Sequence, residues 1–293
     1  MRIIVTGTSG HIGGAIAAAL HECGHHVIGV SRSRNEALPA SLPQYSMDIG
    51  AVDFVAQSKR IGPVDAVVHA AALIDPTAPA SEIMRTNCVG TAQVLEMARN
   101  LEANSCVYFS SLSILGKPVL HPITEEHPIA PANPYALSKL AGEQLAVMAQ
   151  DFIRTVALRI SSPVGPGLRP GRIFHTFVRN AKNNERLLVN GTGTRCQDYV
   201  DVRDIAHATL LALSSDRAGV YNIGAGKAVS NLDLARKCVD TLKSLSEIVT
   251  TGQPDPDNQV CWDLSIAKAV RDFSYGPEFS LERSILDLCA EIS

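Results

Sequence analysis

The sequence predicts a doubly wound α/β fold, a parallel sheet with helices on both faces, carrying a small discontinuous C-terminal lobe. Three observations predict it. The chain opens MRIIVTGTSGHIGG, a strand, a glycine-rich turn and a helix in succession. Short runs rich in Val, Ile and Ala then recur between helical or polar stretches, as in strands buried on both faces. From Pro163 onward, loops dense in Gly and Pro alternate with helical patterns, which marks a second lobe.

The whole chain sets bounds. Its 293 residues can bury a large core. With 46% hydrophobic and 19% charged residues it is globular rather than disordered. A formal net charge of −3 gives no footprint for nucleic acid or an anionic membrane. The 7 cysteines are scattered without C-x-x-C spacing, which argues against a disulfide framework or a metal site and for a reducing, cytoplasmic setting. The apolar N-terminus breaks at Gly7, so no signal peptide is read there, and no apolar run is long enough to span a bilayer.

Arg2 to Thr6 reads as the first strand and His11 to Leu20 as the first helix. Between them Gly7, Gly10 and Gly13 serve a sharp turn, close backbone approach to a pyrophosphate, and tight helix–strand packing. Ser9, His11 and Ile12 share that cradle, and the free N–H groups of the helix face the phosphates. The spacing is G-x-x-G-x-x-G, not the commoner G-x-G-x-x-G. After a second strand, His26 to Val30, come Ser31, Arg32, Ser33 and Arg34. An acid there would bind the adenosine ribose; Ser31 and Arg32 instead suit a 2′-phosphate, which points to NADP with NAD as the alternative. Asp48 and Ile49 follow the next strand, where the carboxylate either accepts from the adenine amino group or caps a helix near Val52.

Asp65 to Ala72 is a strand whose small residues Ala70, Ala71 and Ala72 leave room for a flat ligand; His69 reads as a packed strand-end residue. Pro79 to Leu101 reads as one long helix containing Asn87, which either steadies nearby backbone or meets solvent. Ser105 to Ser110 is a strand ending at Ser111. Asn133 and Pro134 then start a helix that carries Tyr135 and Lys139 on one face. A phenol titrating near ~10 is a poor neutral-pH acid or base, and a neighbouring ammonium lowers that value. With Ser111 on the substrate oxygen, the three suit hydride transfer coupled to proton transfer at a C–OH/C=O pair. Lys139 also suits the nicotinamide ribose hydroxyls.

The chain resembles the extended short-chain dehydrogenases/reductases, the group with sugar-nucleotide epimerases and dehydratases. The residues that carry the resemblance are Thr6-Gly7-x-x-Gly10-x-x-Gly13, Asp48, His69-Ala70-Ala71, Asn87-x-x-Gly90, Ser110-Ser111, Tyr135-x-x-x-Lys139, Leu158-Arg159, Gly165-Pro166-Gly167, Asp198 to Asp204 and Tyr221 to Gly224. The resemblance implies a Rossmann sheet, with Tyr135 as acid/base, Lys139 as its electrostatic partner and Ser111 as the polarising hydroxyl. It also implies a small-molecule substrate, a sugar or nucleotide sugar, and pairing into a homodimer. Departures narrow the substrate. Dehydratases of the group carry an acidic pair where this chain has Leu112 and Ser113. The usual substrate Asn is replaced by Ser162, and the usual diphosphate Arg by Gln197, leaving Arg195, Arg169 or Arg172 to serve. The expected division is residues 1–162 plus 196–223 for the cofactor and 163–195 plus 224–293 for substrate. The expected activity is an NADP-dependent oxidoreductase acting on a nucleotide-linked keto-sugar. A 4-epimerase is the alternative enzyme, and a non-catalytic cofactor-binding sensor or scaffold the alternative of another class.

Overall fold

The computed structural model describes residues 1–292. The five strands read from the sequence are present as β1 (Arg2–Thr6), β2 (His26–Ser31), β3 (Gln44–Ser46), β4 (Ala66–His69) and β5 (Ser105–Ser111), and the next strand is β6 (Arg154–Ile160). They are followed by β7 (Ser162–Val164), β8 (Leu187–Val189), β9 (Cys196–Asp201), β10 (Gly219–Ile223), β11 (Ala228–Ser230) and β12 (Ile248–Thr250). Seven strands form one sheet in the order β10-β6-β5-β4-β1-β2-β3. Every neighbouring pair in it is parallel. The order reverses between β1 and β4, so the crevice beyond their carboxyl ends is the place for a ligand.

The helices are α1 (His11–Glu22), α2 (Phe54–Ser58), α3 (Ala80–Met84), α4 (Gly90–Asn100), α5 (Pro134–Met148), α6 (Ile173–Lys182), α7 (Val202–Ser214), α8 (Asn231–Leu242), α9 (Ala267–Phe273) and α10 (Leu281–Glu291). Alternation along β1 sends Ile3 and Val5 into a core shared with α1 and α7, and Ile4 into a core shared with α4. A third core gathers α6, α8 and α10 beside the small sheet β11-β9-β7 and the pair β12-β8.

One expectation is corrected: the long helix from Pro79 to Leu101 is interrupted by a π-helical turn, Arg85–Val89, in which Asn87 is buried. Strand β9 pairs with β7 and β11 rather than within the large sheet. Phe273 and Tyr275 are buried in the first core, where the Phe273 ring lies 4.3 Å from that of Tyr221. No helix among the described residues is long and apolar enough to cross a membrane, and the 7 cysteines are free.

Candidate active site

The turn after β1 is shaped by what cannot fit in it. Gly7 has φ +77°, and a Cβ there would meet the Ala71 nitrogen at 2.7 Å. A Cβ on Gly13 would meet the Gly7 carbonyl oxygen at 2.3 Å, so α1 packs against the turn only with glycine at 13. Gly10 caps α1 without a side-chain hydrogen bond, and no acid lies in the first helical turn. The leading N–H groups of α1 are thus left to an external anion, and this cradle fits a dinucleotide pyrophosphate.

The adenosine side is more occupied than the sequence suggests. Ser31 is buried; its hydroxyl donates to the Ser33 carbonyl and meets Thr8 Oγ1. It shapes the loop that presents the exposed Arg32. Asp48 accepts from the Gly50 N–H at 2.9 Å and from Arg85 Nη1 at 3.2 Å, and the cap of α2 is Asp53. The Ile49 side chain is buried in the core cluster with Phe54, and its carbonyl accepts from Gln93.

His69 is neutral. Burial, then the nearby Lys139, holds its pKa down to about 3. A directed line of hydrogen bonds passes through it. The Ala71 N–H donates to Thr6 Oγ1, and Thr6 Oγ1 lies 2.7 Å from His69 Nδ1. His69 Nε2 lies 3.0 Å from Thr91 Oγ1, whose proton goes to the Asn87 carbonyl. Since Thr91 has spent its proton, Nε2 carries the imidazole proton and Nδ1 accepts from Thr6. Asn87 Nδ2 donates to Ser138 Oγ, which donates to the Tyr135 carbonyl. Asn87 also clamps Leu73 through both its N–H and its carbonyl. Asn87 thus steadies nearby backbone, the first of its two readings, with both amide protons used inside the protein.

The chemical groups converge beyond β5. The N-cap Asn133 accepts from the Ala136 N–H and Pro134 opens α5, which fixes Tyr135 in the first turn. Ser111 Oγ accepts from both the N–H and the hydroxyl of Ser113. With its lone pairs engaged, Ser111 is left to donate. Burial raises the Tyr135 pKa, and contact with Ser111 and the charge of Arg172 offset this in part. The direction is opposite to the expected lowering, because burial of the phenol itself outweighs those contributions. Burial brings the Lys139 pKa down to about 7, although Glu143 opposes the shift. Its Nζ sits 4.4 Å over the Tyr108 ring.

Glu143 and Arg159 went unread in the sequence as site residues. Arg159 Nη2 lies 2.8 Å from Glu143 Oε1, with both side chains almost wholly buried. Glu143 also accepts from Ser110 and from Arg159 Nε. The available signal was spacing: Glu143 stands four residues after Lys139 on the same helical face, and Arg159 interrupts an apolar strand.

On the lobe side, the two departures meet each other: Ser162 Oγ donates to Gln197 Oε1 at 2.9 Å. Arg195 lies 3.8 Å from Asp255 and 3.6 Å from Asp257, so carboxylates already engage it. Arg195 and Asp255 line a cavity of about 290 Å³ with Phe177, Leu188 and Asn190. Arg172 stands at the start of α6 and acts electrostatically on Tyr135, whereas Arg169 turns to the glycine turn.

Residues 3–224 match the model of the NAD dependent epimerase/dehydratase family. The chain belongs to that family. Among relatives of this epimerase/dehydratase member, a UDP-glucose 4-epimerase of Azospirillum brasilense is 30% identical over 273 residues, 84% of this chain and 77% of the relative. A dTDP-glucose 4,6-dehydratase of Streptomyces niveus is 28% identical, covering 76% of this chain and 68% of that one. In structure the family member is similar to the Thermus thermophilus UDP-glucose 4-epimerase in complex with NAD, with TM-score 0.85, 25% identity and coverage of 99% and 98%. The Thermotoga maritima UDP-glucose 4-epimerase with UDP-glucose superposes with TM-score 0.90 at 24% identity, covering 98% of this chain and 97% of that one. This family member is thus an NAD(P)-dependent enzyme on a Rossmann-like sheet.

Proposed function

We propose that the chain transfers hydride between a nicotinamide dinucleotide and the C–OH/C=O carbon of a sugar, with nucleotide-linked sugars as the substrate class. The observation that carries this reading is the contact of the Tyr135 phenol with Ser111, one helical turn from the buried Lys139 and on the same edge of the parallel sheet as the glycine turn. The nicotinamide, when bound, gives or takes the hydride. Ser111 donates to the substrate oxygen and fixes it. Tyr135, kept protonated at neutral pH by its burial, gives its proton to that oxygen as negative charge develops there. Protonated Lys139 favours the phenolate left behind.

Two members of this reaction class share these steps. Net reduction is supported by the exposed Arg32 at the ribose position, which suits NADPH. A 4-epimerase, which oxidises and re-reduces one carbon, is supported by the relatives named UDP-glucose 4-epimerase. Dehydration is disfavoured, because buried Leu112 and Ser113 follow Ser111 where an acid is needed. A sensor without turnover does not account for a complete Ser-Tyr-Lys set.

The deciding assay mixes purified protein with NADPH or NADH and a panel of UDP-linked keto-sugars and hexoses. Steady NAD(P)H loss identifies a reductase, and isomerisation without net loss an epimerase. Dinucleotide binding with neither, across the panel, sinks both in favour of the sensor. Arg32→Ala is expected to weaken NADPH about tenfold and NADH hardly at all. Equal weakening of the two removes the 2′-phosphate contact. Gln197→Arg is expected to tighten UDP about tenfold in calorimetry, since a guanidinium grips a diphosphate through two bonds. Unchanged UDP affinity places the phosphates elsewhere.

A further inference from the structure

The segment from Gly165 to Gly171 leaves the substrate-side sheet and crosses the glycine turn of the other domain. His11 Nε2 lies 2.8 Å from the Pro166 carbonyl, so this neutral-side nitrogen donates across the gap. Arg169 Nη2 donates to the Ser9 carbonyl at 2.8 Å. The far side is tied by the Gly167 N–H, which donates to Glu291 at 2.6 Å. Gly165 and Gly167 take φ of +100° and +74°, and a Cβ on Gly165 would meet Asp201 at 2.6 Å. The strap therefore follows a path that its glycines allow and its neighbours fix.

Arg169 lies beside the uncapped start of α1, with a hydrogen bond from its guanidinium to the Ser9 carbonyl. It is exposed, and among the described residues no carboxylate forms an ion pair with it. It sits instead beside the positive end of α1, where a second positive charge is repelled. The same end of α1 carries uncapped N–H groups. Arg195, the other arginine considered for a phosphate, is already held by Asp255 and Asp257.

We propose that Arg169 is a pyrophosphate-binding residue for the dinucleotide, delivered from the lobe over the glycine turn, so that the strap retains the cofactor. This rests on the dinucleotide reading given above and names a further residue for it. The guanidinium and the α1 N–H groups would then share the phosphates from opposite sides. Cofactor loss would require the Arg169 and His11 contacts to open.

The test is binding, not turnover. NADH, ADP-ribose and adenosine are titrated calorimetrically against wild type, Arg169→Gln and Arg169→Lys. Arg169→Gln is expected to weaken NADH and ADP-ribose alike by about tenfold or more, through loss of a charge-assisted contact. Adenosine, without phosphate, is expected to bind equally to all three, and Arg169→Lys to recover part of the loss. NADH and ADP-ribose binding within twofold of wild type in Arg169→Gln overturns the proposal and leaves the dinucleotide reading standing. Parallel weakening of adenosine also overturns it, because the turn itself has then been disturbed. Wild type that binds neither NADH nor ADP-ribose removes the dinucleotide reading as well.

Discussion

Tyr135→Phe is expected to cut turnover by a factor on the order of 10² or more while leaving NAD(P)H affinity within twofold. The ring stays, so packing at the start of α5 is kept; only the phenolic proton is lost. Burial keeps the phenol above its ordinary pKa, so it is protonated and ready to act as an acid at neutral pH. The phenolate that forms is then favoured by Lys139. That amine is charged below about 7 and neutral above it, because burial has pulled its pKa down to about 7. The rate of carbonyl reduction is therefore expected to fall as pH rises through about 7, the direction in which the ammonium is lost. Stopped-flow measurement of NAD(P)H oxidation in a single turnover reads both effects. Near-normal turnover in Tyr135→Phe would falsify its role as the acid.

Glu143→Ala is expected to be the most destabilising of the substitutions considered. It strands the Arg159 guanidinium in the interior and removes the acceptor of Ser110. Breaking one side of a buried pair costs about 3–5 kcal/mol, because the remaining charge has no solvent. For a chain of this size that is a fall of roughly 5–8 °C in the unfolding midpoint. Arg159 also donates to the Glu125 carbonyl, so the loop that crosses beneath β6 loosens with it. Differential scanning calorimetry at neutral pH checks this, and a midpoint within a degree of wild type removes the pair from the stability argument. The same substitution deprives Lys139 of the carboxylate that keeps its pKa from falling further. Any soluble Glu143→Ala protein is therefore expected to lose reductive activity at a lower pH than wild type.

Much of the large sheet was readable because β1, β2, β4 and β5 are short apolar runs that end in a polar residue. Ser111, Tyr135 and Lys139 stand out as candidates because the chemistry proposed for them depends on local spacing on one strand end and one helix face. What escaped reading depends on partners far away in the chain. The inward aim of Asn87 comes from a π turn that no periodicity announces. The burial of the Ile49 side chain beside Phe54 was not legible, because adjacency to Asp48 says nothing about which way a side chain points. The Glu143–Arg159 pair joins a helix to a strand, and the Arg195–Asp255–Asp257 cluster joins β9 to a loop some sixty residues on. Such pairings are decided by how the elements dock, so a lone charge in the sequence looks the same whether it ends in solvent or in a core.

Because each hydroxyl in the line from Ala71 to Tyr135 spends its only proton in one direction, no link can reverse without leaving a neighbour unpaired. The Ala71 backbone beside the glycine turn and the backbone of Tyr135 are thereby locked into a single mechanical unit. Whatever slack the molecule needs to admit and discharge its substrate has to be found on the opposite bank of the crevice.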